Sequence, residues 1–175
     1  MKRRTFIQNA SLGSLGIVAT ASVIGCKENE IDKGGATSNN SESTIPIVIA
    51  TWNVPNSTKK AWDVIENGGT ALDAIEQGCM VEEANAEGQS VGIGGLPDRD
   101  GNVTLDACIM NKEGNYGAVV YLQNIKHPIS VARKVMENTP HVILAGKGAE
   151  QFAYSEGFQK ENLLTEASKK AWEGW

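Results

Sequence analysis

Two histidines, three cysteines and one glycine-dense stretch are where this sequence could do chemistry. The stretch is SVGIGGLPDRDGNVTLDA, residues 90–107, with Gly92, Gly94 and Gly95 crowded ahead of Pro97. A dinucleotide fingerprint needs Gly-x-Gly-x-x-Gly opening a helix, so that helix amides face a pyrophosphate. Here Pro97 stands at the third glycine position, and turn chemistry follows it. No Gly-Lys-Ser/Thr is present to make a Walker loop. The stretch therefore reads as an extended glycine-rich segment, a turn at Asp100-Gly101 and a strand from near Asn102. His127 precedes a helix-opening proline and His141 opens a strand; the sequence singles out no carboxylates to complete a metal site around them. Cys79 and Cys108 fall on apolar faces and read as buried thiols, and their spacing does not decide whether they pair. Gly88-Gln89-Ser90-Val91-Gly92 matches Gly-x-Ser-x-Gly in letters, but more glycine and then turn residues follow it where a nucleophile elbow opens a helix. Within its own length the chain offers no nucleophile with its base.

The elements that would position these residues follow from hydrophobic period and punctuation. IPIVIAT, 45–51, is a β-branched run of buried-strand type, with Trp52-Asn53 at its end. Ala61, Val64 and Ile65 share a helical face that Gly68-Gly69 terminates. Thr70-Ala-Leu-Asp73 is a capping-box pattern opening a helix with Leu72, Ile75 and Cys79 on one face. Asn102–Met110 and Tyr116–Leu122 flank the turn residues NKEGN as a hairpin. Pro128 opens a helix that carries Ile129, Ala132 and Val135 inward and stops at Pro140. HVILA is a strand, a helix follows from Gly146 to near Gly157, and residues 166–173 form a last short helix. The order β, α, α, β, β, α, β, α, α is an α/β pattern with a hairpin inside it.

The formal net charge is −5, and the first 26 residues hold three bases and no acid, so the rest is more acidic still. An acidic body is a poor partner for a phosphate backbone, which argues against nucleic acid. MKRRTFIQNASLGSLGIVATASVIGC, 1–26, has a basic start, a short apolar middle and a small-residue end, the order of an export signal. Arg3-Arg4 resembles a twin-arginine motif. Val23-Ile24-Gly25-Cys26 resembles a bacterial lipobox, which would acylate Cys26 and make it the new N-terminus; the alternative is an ordinary cleavable signal with an incidental cysteine. Residues 27–44 are rich in Ser, Asn, Gly and charge and read as a flexible tether. The expected location is periplasmic or membrane-anchored, with the membrane reached only through the lipid. The folded part is expected to span 45–175.

Five segments stand in colinear order: IVIATWN (47–53), GGTALDAIEQG (68–78), SVGIGGLPDRDGNVTLDACIMN (90–111), IKHPISVARKVMENTPHVILAGKGAEQFA (125–153) and ENLLT (161–165). Together they resemble the N-terminal, or α, portion of the glycosylasparaginases, which are N-terminal nucleophile hydrolases. The related isoaspartyl peptidase/asparaginase branch usually carries Asn-Ala-Gly-x-Gly-Ser where this chain has Ser-Val-Gly-Ile-Gly-Gly. The resemblance implies an αββα sandwich, incomplete in this chain. It implies a precursor that cuts itself at an Asp-Thr bond, freeing a threonine at the head of a β portion. That threonine would attack the side-chain amide of a glycosylated asparagine, its own α-amine acting as base. No cofactor and no metal are implied, and a dimer of such α/β units is compatible with it.

No Asp-Thr occurs in this sequence. The expectation is a truncated reading of a longer precursor, or one part of a two-part enzyme, inactive by itself. The resemblance carries Trp52, Ser90 and Asn53 over as substrate-binding residues. Val54 stands where the family often has an aromatic residue. Asp106 and Arg99 read as structural partners of loop and hairpin. Two other functions remain open: an isoaspartyl peptidase or L-asparaginase, and a non-catalytic binding lipoprotein with half of an enzyme fold.

Overall fold

In the computed structural model, residues 46–175 are described; Cys26 and the tether 27–44 lie outside them. Helix α1, Pro55–Glu66, starts with proline in its first turn, where a missing N–H costs nothing. Helix α2, Ala71–Glu83, opens on the expected capping box: the Asp73 N–H donates to Thr70 Oγ1 at 3.1 Å, and the Thr70 N–H donates to Asp73 Oδ2 at 3.2 Å. The two helices pack through small residues. A Cβ on Gly78 would stand 3.1 Å from the Ser57 carbonyl oxygen and 3.2 Å from Ala61 Cβ, so glycine is what lets them approach.

The sheet has three strands in the order β1 (Leu105–Met110), β2 (Tyr116–Leu122), β3 (Ile143–Ala145). β1 and β2 pair antiparallel, and β2 and β3 pair parallel. At the hairpin turn, Asn111 Oδ1 accepts the N–H groups of Glu113 and Asn115 at 3.1 and 2.9 Å. Helix α3, Pro128–Asn138, makes the crossover to β3. Its Ile129, Ala132 and Val135 join Ile109, Val119 and Leu122 in one buried core, which Ala149 and Ala153 of helix α4, Gly146–Ser155, complete. A last helix, α5, spans Glu166–Glu173, with Thr165 as its N-cap.

Among the described residues, packed elements cover one face of this sheet. The register places Cys108, Ala118 and Ile143 in one row of the other face. Met110, Tyr116, Val120 and Ile143 are exposed there at 61, 46, 42 and 51%.

The α/β class and the element order agree with the sequence pattern, with three corrections. First, residues 46–50 form no strand, and Ile47 and Ile49 are exposed. A β-branched run supplies the propensity, but a strand exists only when its ladder is paired, and none of the described strands pairs with it. Second, Cys79 and Cys108 are exposed free thiols rather than buried ones. Helix α2 buries Ala74 and Gly78 on one side and packs Leu72 and Met80 toward the core on the other, and Ile75 and Cys79, between them, face an open cleft. Cys108 lies on the uncovered sheet face. Third, the glycine-rich segment is a compact series of bends and turns, not extended. Gly92 and Gly94 take φ of 61° and 87°. Among the described residues no helix is long and apolar enough to cross a membrane.

Candidate functional site

Helices α1 and α2, the edge of β1 and the segments 48–54 and 88–91 enclose a cleft of about 600 Å³. That is the volume of an ordinary small-molecule site. Its floor is made of small residues, Ala61, Ala74 and Gly78. Trp52 and Ser90 both line it. Trp52 is 69% exposed, so its indole is not a core residue but a surface available to a ligand. Ser90 is exposed on the same cleft. The structure therefore brings together two of the three expected residues. Asn53 is exposed beside Trp52 but does not line the cleft. Val54 does line it, as the residue that precedes α1.

Two other hydroxyls in the cleft, those of Ser57 and Thr58, are already engaged. Ser57 Oγ donates to Glu82 Oε1 at 3.2 Å, and Thr58 Oγ1 donates to the Pro55 carbonyl at 3.1 Å. Asp106 sits at the irregularity of β1 between Leu105 and Ala107, where its Oδ1 accepts the Tyr121 N–H at 2.7 Å. This bond holds Tyr121 in a left-handed conformation, φ 56°, which a bulky residue adopts only under constraint. Asp106 is thus the structural partner the sequence suggested, although it also faces the cleft. The Arg99 side chain is exposed and pairs only with its neighbour Asp100, Nε to Oδ1 at 3.4 Å; only its backbone carbonyl is structural, accepting the Trp172 indole N–H at 3.3 Å. No group of three or more His, Cys, Asp or Glu is placed to hold a metal among the described residues.

Glu83, at the end of α2, is the residue that sequence reasoning missed. It is only 5% exposed and lines the cleft floor. Its Oε1 accepts the Ile129 N–H at 3.0 Å, and its Oε2 lies 3.1 Å from His127 Nδ1. His127 occupies the N-cap position of α3 without capping it; the Glu83 carboxylate takes that role from another helix. The backbone carbonyl of Glu83 also accepts the Ile93 N–H at 2.9 Å. Burial pushes the Glu83 carboxyl above its ordinary range, opposed by the bonds from His127 and Ile129. No local signal marks this residue, because its side-chain partners lie 44 and 46 positions away.

Comparison with known proteins gives the family of the chain. A family model described as Asparaginase matches residues 31–175. The N(4)-(beta-N-acetylglucosaminyl)-L-asparaginase of Elizabethkingia miricola is 49% identical over 99% of the chain. The proteins of that name from Rattus norvegicus and Mus musculus are 46% and 45% identical over 75% and 76% of it. The matched parts are 49, 38 and 39% of those three proteins, so this chain spans half their length or less. With the family model covering most of the chain and relatives up to 49% identical along it, this chain belongs to the asparaginase family of N-terminal nucleophile hydrolases.

Proposed function

We propose that this chain is the N-terminal portion of an N4-(β-N-acetylglucosaminyl)-L-asparaginase, which cleaves the amide bond between N-acetylglucosamine and an asparagine side chain. The observation that carries this reading is the cleft shared by Trp52 and Ser90, the residues the motifs assign to the substrate. Its volume and its mixed lining, an indole with hydroxyls and carboxylates, suit a ligand that is polar and amphipathic. The names of the relatives support the same substrate.

In this reading a second, β portion supplies the threonine. Its hydroxyl oxygen attacks the amide carbon while its α-amine takes the proton. The amine returns that proton to the departing glycosylamine, and water then hydrolyses the β-aspartyl ester to give aspartate. Donors placed around the carbonyl oxygen would stabilise both tetrahedral oxyanions. The uncovered apolar face of the β1–β3 sheet supports the αββα sandwich, since a second sheet packed there would bury it.

The test is a full-length precursor carrying this N-terminal portion, given glycosylated asparagine and assayed for aspartate. Turnover is the expected result, and a processed precursor releasing no aspartate would sink the reading. In the same protein Trp52→Ala should lower turnover at least tenfold while changing stability by less than about 0.5 kcal/mol, as expected of an exposed side chain.

A further inference from the structure

Burying a carboxylate is costly unless it is paired and hydrogen-bonded, and Glu83 is buried where three parts of the molecule meet. Its carboxylate holds the first turn of α3 through the Ile129 N–H and engages His127. Its backbone carbonyl holds the glycine segment through Ile93. Gly92 rests so close to the Glu83 backbone that no side chain could be accommodated there. Ser90 stands two residues before Gly92, on the wall of the cleft that Glu83 floors.

We propose that Glu83 is a positioning residue: by locking the end of α2 to α3 and His127, it fixes the platform under Gly92–Ile93 and so sets where the Ser90 hydroxyl stands. This rests on the functional reading above, in which Ser90 touches the substrate. The carboxylate is the tie that joins the end of α2 to α3, beside the main-chain bond to Ile93 and the Glu82–Ser57 bond to α1. Asp106 lines the cleft too, but it is committed to the Tyr121 N–H. Glu82 is committed to Ser57.

A double-mutant cycle in the full-length precursor tests it. Glu83→Ala and the isosteric Glu83→Gln are each made alone and combined with Ser90→Ala, and KM, kcat and melting temperature are measured. Glu83→Gln retains an acceptor for Ile129 and keeps the test open should Glu83→Ala fail to fold. KM for glycosylated asparagine should rise about tenfold in Glu83→Ala and roughly threefold in Glu83→Gln, within the range of couplings between residues that share a segment. In the Ser90→Ala background those rises should vanish, because there is no hydroxyl left to place. The same rise in both backgrounds would overturn the proposal and leave Glu83 a merely structural group. An unchanged KM in whichever Glu83 variant folds would overturn it as well. A wild-type precursor without turnover would remove the functional reading and this inference together, and it is seen before any variant is compared.

Discussion

The wholly buried hydroxyl of Ser168, in α5, donates to the carbonyl of Gly94. The Gly94 N–H in turn donates to the Leu163 carbonyl at 2.8 Å, and Thr165 Oγ1 lies 3.0 Å from the Ser168 hydroxyl. The glycine segment is therefore held from two sides, by Glu83 at Ile93 and by residues 163–168 at Gly94. Removing the Ser168 hydroxyl leaves a buried carbonyl without its side-chain donor. Ser168→Ala in the full-length precursor should cost about 1–3 kcal/mol, read by thermal or denaturant unfolding. A loss under about 0.5 kcal/mol would mean that water or a shifted loop satisfies Gly94 instead.

Gly92 and Gly114 separate two effects that positive φ usually mixes. Both are left-handed, at 61° and 83°. An added Cβ at Gly114 meets nothing within 4 Å, whereas at Gly92 it would overlap the Glu83 backbone. Gly114→Ala should cost only the conformational strain, about 1–2 kcal/mol. Gly92→Ala must also displace the end of α2 and should cost more than about 3 kcal/mol, with loss of turnover. Equal costs in unfolding experiments would show that the close approach at Gly92 carries no energy.

Asp73 gives the clearest pH dependence. The Thr70 hydroxyl, then Arg133, lower its carboxyl from 3.8 to about 2. Arg133 Nη1 lies 2.7 Å from Asp73 Oδ1 and 2.7 Å from Glu76 Oε2, and its Nε lies 2.8 Å from Glu137 Oε1. A lowered folded-state value means that the stabilisation is complete above 3.8 and is lost as pH falls toward about 2. Asp73→Asn should lower the melting temperature at neutral pH, and the gap to the parent should close over that acid window. The effect should be small, since the side chain is 39% exposed and water screens the pair. A gap that stays constant down to pH 2 would show that the loss comes from capping geometry rather than charge.

The sequence made the local structure legible because its signals are local. Thr70 and Asp73 lie three residues apart, and the capping box they predict is present. Pro128 opens α3, and Tyr116–Leu122 is the returning strand expected after the NKEGN turn. Failures arose where the deciding partner is remote. Cys79 shares a helical face with Leu72 and Ile75, but which face is buried depended on the close packing of Gly78 against Ala61. Ile47 and Ile49 have strand propensity without a ladder partner. Trp52 and Ser90 were found only through motifs, since nothing in their spacing predicts one shared cleft. Glu83 carried no motif, and its role exists only once α2, α3 and the glycine segment are assembled.

The uncovered sheet face makes the last prediction. Met110, Tyr116, Val120 and Ile143 form an exposed apolar surface on β1–β3, and Ile47 and Ile49 add a second exposed apolar run. Contiguous apolar patches of this kind mark association surfaces, and β1 and β3 present sheet edges with no further strand paired to them among the described residues. Residues 45–175 produced alone should therefore bind a hydrophobic dye, associate with rising concentration and release no aspartate from glycosylated asparagine. Replacing Val120 and Ile143 with threonine, which keeps β-branching while removing apolar surface, should reduce both dye binding and association. Co-expression with a β portion beginning at threonine should suppress them without any substitution, because a second sheet would cover the face. A monodisperse monomer of residues 45–175 that melts cooperatively and ignores the dye would show that this face needs no cover, and the sandwich proposed for the complete protein would lose its physical support.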